Sequence, residues 1–253
     1  MPPAAPLKPI PKPTPTPSPT PTPTPGGTTV SRIGKIGTSG PDSLTGTSGA
    51  DTIFGLGGPD TIFGLGGNDL IYGEDGDDSI RGDAGNDCLF GGSGRDTMLG
   101  NEGDDTLYGG KGADSQTGDD GNDLLFGNQD NDTLLGGAGN DTFFGGSGDD
   151  SLFGGAGDDS LSGDKGKDTL TGGLGNDTFA LSFSSESDLI TDFTDGSDRI
   201  RLAAGLTFAE LTIVAGTSGT RPSTIIQLTS TKETLATLFG VPRTSISQAD
   251  FIL

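Results

Sequence analysis

The amino-acid sequence predicts an all-β fold: a right-handed parallel β-roll, a β-solenoid with two nonapeptides per coil, followed by a β-rich C-terminal capping domain. Three observations carry this expectation. Between Gly37 and Ala180 a nine-residue unit recurs sixteen times with no insertion or deletion. Its first position is Gly and its sixth is Asp in every copy, as in Gly136 to Phe144 (Gly-Gly-Ala-Gly-Asn-Asp-Thr-Phe-Phe). Its eighth position is Leu, Ile, Met or Phe in every copy but one, where Gln116 stands.

Composition alone would argue for disorder, since only 29% of the residues are apolar and the net charge is −22. The repeat overrides that, because a disordered chain has no reason to hold a fixed phase. Of the 36 acidic residues, 28 lie between Gly37 and Ala180 against five basic ones, so this block carries 5 − 28 = −23. Such a field repels nucleic acid and anionic membrane surfaces and gathers cations, so no nucleic-acid partner is expected. Cys88 is the single cysteine and there is no His, which leaves no intramolecular disulfide and no Cys/His zinc site. No apolar run is long enough to span a bilayer. The N-terminal stretch lacks the apolar segment of a cleavable signal peptide, so export by that route is not expected.

Taken in order, residues 1–26 read as a Pro/Thr-rich disordered linker, with twelve of the 16 prolines in Met1 to Pro25. Residues 27–36 form a short lead-in, with Val30, Ile33 and Ile36 in a first strand. Residues 37–180 are the roll. Within each repeat, positions one to six read as a tight turn, because Gly at one and four permits positive φ and Asn or Asp at five tolerates it. Positions seven to nine read as a minimal strand, eight pointing inward and seven and nine outward. Residues 181–253 form the cap that a solenoid needs over its last apolar edge. Its strand candidates are Asp188 to Phe193, Asp198 to Leu202, Thr212 to Val214, Thr224 to Leu228 and Thr234 to Phe239. Asp195-Gly196 is a turn, and Phe208 to Leu211 one helical turn capped by Thr207.

The Asp column sets the chemistry. It comprises Asp42, Asp51, Asp60, Asp69, Asp78, Asp87, Asp96, Asp105, Asp114, Asp123, Asp132, Asp141, Asp150, Asp159, Asp168 and Asp177. Stacked turns pair the carboxylates of repeats n and n+2, and two charges a coil spacing apart repel by about 3 to 4 kcal/mol at an effective dielectric of 20. A cation must lie between them. Calcium takes six to eight oxygens in flexible geometry, from carboxylates and from the carbonyls that glycine-rich turns expose, whereas magnesium demands a stricter octahedron. Two edges with seven gaps each predict up to about fourteen ions.

These residues resemble the Gly-Gly-x-Gly-x-Asp-x-apolar-x unit of RTX proteins, the hemolysin-type calcium-binding repeat of serralysin-like and cyanobacterial chains. The resemblance covers Gly37 to Ala180 and implies that the sixteen Asp side chains and the turn carbonyls hold calcium. Asp130 in a glycine slot and Gln116 in the apolar column depart from it, and predict irregular sites between Asp114 and Asp132. Ser187 to Leu202 resembles the segment that follows the roll in such proteins. Asp250-Phe251-Ile252-Leu253 resembles an uncleaved type I secretion signal, though it also reads as an ordinary terminal strand. The implied function is calcium binding by a secreted, extracellular roll, exported through type I secretion machinery and folded by external calcium. Alternatives are an extracellular adhesin or surface-interaction protein using the roll as scaffold, or a detached secretion and folding module of a secreted hydrolase or toxin.

The two faces of the roll differ. One carries Phe54, Tyr72, Phe90, Tyr108, Phe126 and Phe144 in succession, readable as a protein or surface partner's binding strip or as cross-coil stacking that stiffens the sheet. The other carries the hydroxyl column Ser43, Thr61, Ser79, Thr97, Ser115, Thr133, Ser151 and Thr169, read as solvated strand positions. Cys88 reads as a small, partly buried neighbour of the aromatics. No catalytic residues emerge: histidine-based triads are absent, and the carboxylate pairs are all alike, whereas acid–base catalysis needs two in different environments. The chain is therefore not expected to be an enzyme.

Overall fold

The structure, a computed structural model, describes residues 34–182, 186–218 and 221–252. The Pro/Thr-rich linker, Val30, Ile33 and Leu253 lie outside the described residues. Ile36 ends a strand, Gly34–Ile36.

Among the described residues the strands form two sheets of 11 and 12, and successive strands alternate between them as far as Arg199–Leu202. Through the repeat each strand therefore pairs, in parallel, with the strand two further along the chain. Thr52–Gly57 lies beside Leu70–Asp75 with Ile53 opposite Ile71 and Phe54 opposite Tyr72, a step of eighteen residues. The same step recurs through Ser160 opposite Thr178, so two nonapeptides make one coil, as the register predicts. Position eight fills the space between the sheets: Ile53, Ile62, Ile71, Ile80, Leu89 and Met98 are buried, and the series runs on to Phe179.

Two local expectations are corrected. The strands are six residues long, because positions one to three join positions seven to nine of the preceding repeat, and only positions four to six turn. A parallel ladder is built from backbone groups, and identical residues meet in register, so glycine-rich segments pair despite poor strand propensity. Positive φ falls at positions two and four, as at Leu56 (78°) and Gly58 (88°), and not at one and five. The glycine at position one serves space instead. A Cβ on Gly55 would collide with Asp60 Oδ2, and it would lie 2.7 Å from the carbonyl oxygen of Gly73, one coil on.

The periodicity stops at Ala180 but the sheets do not. Asp188–Ile190 pairs with Thr169–Leu174 and Arg199–Leu202 with Thr178–Leu181, both in parallel. Thr234–Phe239 follows in parallel with Asp188–Ile190 on one sheet, and beyond it come Arg221–Leu228 and then Leu211–Ser218, each antiparallel to its neighbour. Phe251–Ile252 ends the other, so the residues read as a secretion signal include a paired strand. The helical turn is a 3-10 turn, Phe208–Glu210, with the Thr207 amide and hydroxyl both donating to Glu210 Oε2 at 2.9 Å. Apolar side chains of this region, among them Leu181, Phe193, Leu206, Ile226 and Leu238, continue the core of the roll.

Candidate metal centres in the turns

The turns form two edges. Asp42, Asp60, Asp78, Asp96, Asp114, Asp132, Asp150 and Asp168 line one, and Asp51, Asp69, Asp87, Asp105, Asp123, Asp141, Asp159 and Asp177 the other. From Asp51 to Asp177 every one of these residues is at most 5% exposed. Along both edges each Asp amide donates to Oδ1 of the Asp one coil on, at 2.8 Å from Asp60 to Asp78 and 2.7 Å from Asp87 to Asp105. The ladder outlasts the repeat. Asp168 donates to Asp188 Oδ1 at 3.2 Å and Asp177 to Asp198 Oδ1 at 3.0 Å. Reading the sequence missed Asp188 and Asp198, because the step lengthens there from eighteen residues to twenty and twenty-one.

The second carboxylate oxygen is the chemically open one. Oδ2 of Asp60, Asp69, Asp78, Asp87, Asp96, Asp105, Asp114, Asp123, Asp132, Asp141, Asp150, Asp159 and Asp168 is buried and has no hydrogen-bond partner. It points at the position-one glycine, where the carbonyl oxygen of the next coil also converges, as Asp96 Oδ2 and the Gly109 carbonyl do beside Gly91. An acceptor buried against acceptors is costly, and a cation is what such a place fits. Among the described residues no three acidic or thiol side chains gather at one point. A bound ion would therefore complete its shell with backbone carbonyls, which suits calcium.

Electrostatics tell the same story. Burial pushes the carboxyls up from 3.8, to about 7 at Asp87, Asp96, Asp105, Asp141, Asp150 and Asp159 and to about 8 at Asp132, and repulsion from neighbouring carboxylates adds to it. Without a counterion these groups resist ionisation.

The two predicted departures leave the backbone regular. Gln116 lies opposite Leu134 in unbroken register, and Asp114 still donates to Asp132 Oδ1 at 2.8 Å. Gln116 is fully buried; its Nε2 donates to the Phe126 carbonyl at 2.8 Å, while Oε1 has no partner. Asp130 keeps the left-handed φ of the glycine it replaces, 71°, and accepts from the Gly112 amide at 3.1 Å.

A second ladder went unread in the sequence. On one edge Asn68, Asn86, Asp104, Asn122, Asn140 and Asp158 at position five each accept the amide of the residue one coil on, ending at Asn176. The signal is an unbroken run of Asn and Asp at that position. On the other edge Pro59, Arg95, Ala113 and Lys167 interrupt it. These bonds, chiefly the amides of Asn122 and Asn176, hold the Asp104 and Asp158 carboxyls below their ordinary range.

On the aromatic face the six rings stack on one another, with centroids 4.9 Å apart at Phe54–Tyr72 and 4.7 Å at Tyr108–Phe126, and planes within 10° throughout. Cys88, half-buried beside them, is a free thiol pushed by burial to about 11. No described helix is long and apolar enough to cross a membrane.

Compared with known proteins, the chain matches the family model of the RTX calcium-binding nonapeptide repeat (4 copies) over residues 36–71, 54–89, 63–98, 89–115, 117–152 and 144–179. Together these cover more than half of the chain, and the one residue skipped between 36 and 179 is Gln116. No curated protein matches. Among solved structures, the extracellular lipase LipA from Serratia marcescens is similar at 24% identity and a TM-score of 0.28, over 85% of this chain and 40% of the lipase. The chain thus spans two fifths of that protein's length. The AlgE6R3 subunit of the mannuronan C5-epimerase from Azotobacter vinelandii is similar at 19% identity and a TM-score of 0.20, over 85% of this chain and 80% of the subunit.

Proposed function

Because the chain belongs to the RTX calcium-binding nonapeptide-repeat family, we propose that it is a calcium-binding β-roll whose folding is driven by calcium outside the cell. One observation carries this reading: in the repeat, thirteen buried carboxylate oxygens have no donor, each facing the position-one glycine of the strand that enters its turn. The Asp column from Asp60 to Asp168 would hold the ions, with carbonyls of adjacent turns completing each shell. About thirteen such positions bound the number of ions, close to the fourteen expected from counting gaps. Cytosolic calcium is too dilute to fill them and extracellular calcium is not, so folding and binding are linked. Export as an unfolded chain through a type I system fits that linkage. Far-ultraviolet circular dichroism tests it. In chelator at about pH 8 the chain is expected to be largely without strand signal and to gain it on adding millimolar calcium. Equal spectra in both conditions would sink the reading.

A further inference from the structure

The same aspartate is found in two states, and the difference follows its place in the roll. In the interior, Oδ2 is orphaned at thirteen turns. In the first coil it is not. Asp42 Oδ2 accepts from the Thr38 amide at 2.6 Å and the Thr38 hydroxyl at 2.9 Å, and Asp51 Oδ2 from Thr47 at 2.5 and 2.9 Å. At the other end, Asp198 Oδ2 accepts the Thr194 amide at 2.7 Å. Asp250 Oδ2 accepts the Ser247 amide at 2.7 Å and its hydroxyl at 3.1 Å. Four end turns thus supply, from a Thr or Ser three or four residues upstream, the donors that interior turns lack.

Backbone conformation separates the two states. At interior position two the chain is left-handed, as at Leu56 (78°), Leu65 (81°), Glu74 (76°) and Asp83 (74°). Thr38 and Thr47, at that position in the first coil, keep negative φ, and there the amide turns onto the carboxylate. A β-branched residue strongly disfavours positive φ, so Thr at position two selects the closed form. Leu, Glu, Asn, Asp and Gly are found in the open one.

Resting on the calcium reading above, we propose that the end turns are cation-independent caps. Thr38, Thr47, Thr194 and Ser247 stand in for the ion at Asp42, Asp51, Asp198 and Asp250, and calcium is confined to the turns between. The roll then begins on turns that close without metal, and the edge that runs through Asp177 to Asp198 and Asp250 ends on them, so Asp42 and Asp51 leave the set of sixteen expected ligands.

The test is calcium stoichiometry of the full chain by titration calorimetry, with circular dichroism at saturating calcium as the check on folding. Asp42→Asn with Asp51→Asn should leave the ion count unchanged, since an amide oxygen still accepts from Thr38 and Thr47. Asp60→Asn with Asp69→Asn should lower it by two. Leu56→Thr with Leu65→Thr should also lower it by two by closing those turns, whereas Leu56→Gly with Leu65→Gly should not. A loss of two ions in the Asp42/Asp51 variant, or an unchanged count in the Leu56/Leu65 threonine variant, overturns the proposal. A wild-type chain that binds no calcium sinks it together with the reading beneath it.

Discussion

One pair of sheets is held by two different chemistries along its length. From Thr52 to Leu181 each strand buries its position-eight side chain, apolar except at Gln116, and the turns bury carboxylates whose Oδ2 lacks a donor. From Asp188 onward the same sheets continue, but the step between ladder residues lengthens, an antiparallel three-strand unit joins, and buried polar groups find partners within the chain. Thr224 Oγ1, fully buried, donates to the Val241 carbonyl at 2.9 Å, and the Asp198 and Asp250 carboxylates are capped by Thr194 and Ser247. The first region is incomplete without cations; the second completes itself. Strand pairing can therefore be passed along a sheet unchanged while what stabilises it changes.

Three perturbations separate the regions, the largest being pH in chelator. The carboxyls of Asp87, Asp96 and Asp105 have folded-state values raised to about 7 by burial, against 3.8 for an ordinary aspartate. The folded chain then holds protons that the unfolded chain has released. Its metal-free stability is greatest below about pH 4 and is lost as pH rises through about 7. Chelated protein should keep repeat strand signal near pH 5 and lose it by about pH 8. Calcium should reverse the order, since it binds carboxylates only after they lose their protons. Strand signal in chelator that rises with pH would break the comparison from the repeat side.

Leu238→Ala, in the self-completed region, should cost about 2 to 5 kcal/mol from cavity formation. Measured by amide exchange over residues 221–239, that loss should be similar with calcium and with chelator. A loss seen only in chelator would mean that this region too depends on the ions. The smallest effect is a gain. Gln116→Leu replaces a half-satisfied amide with the apolar residue found in the rest of its column, and should stabilise the calcium-bound roll by about 1 to 2 kcal/mol in denaturant melts.

Much of this was legible from residue identities. The sixteen-fold phase predicts the eighteen-residue coil and the inward column from Ile53 to Phe179, because side-chain alternation follows directly from strand geometry. The tail strand Thr234–Phe239 was found at its observed bounds, being short, apolar and bracketed by turn residues. Strand length was not legible, since Leu56 and Glu74 sit at positive φ inside a strand whose bonds come from the neighbouring coils' backbone. Nor were Asp188 and Asp198, which continue the Asp ladder off its period. The split of the Asp column into open and capped carboxylates depends on where an amide points, and no column of identical aspartates displays that. Thr38 and Thr47 were its only trace.

Hydrogen–deuterium exchange, resolved by peptide on the full chain with calcium and with chelator, tests the central claim most directly. Amides from 52 to 181 are expected to be protected only with calcium, while those from 221 to 239 keep protection in both. Equal protection of the 52–181 amides in chelator at neutral pH would contradict it, for it would show that thirteen buried carboxylates can be accommodated without a cation.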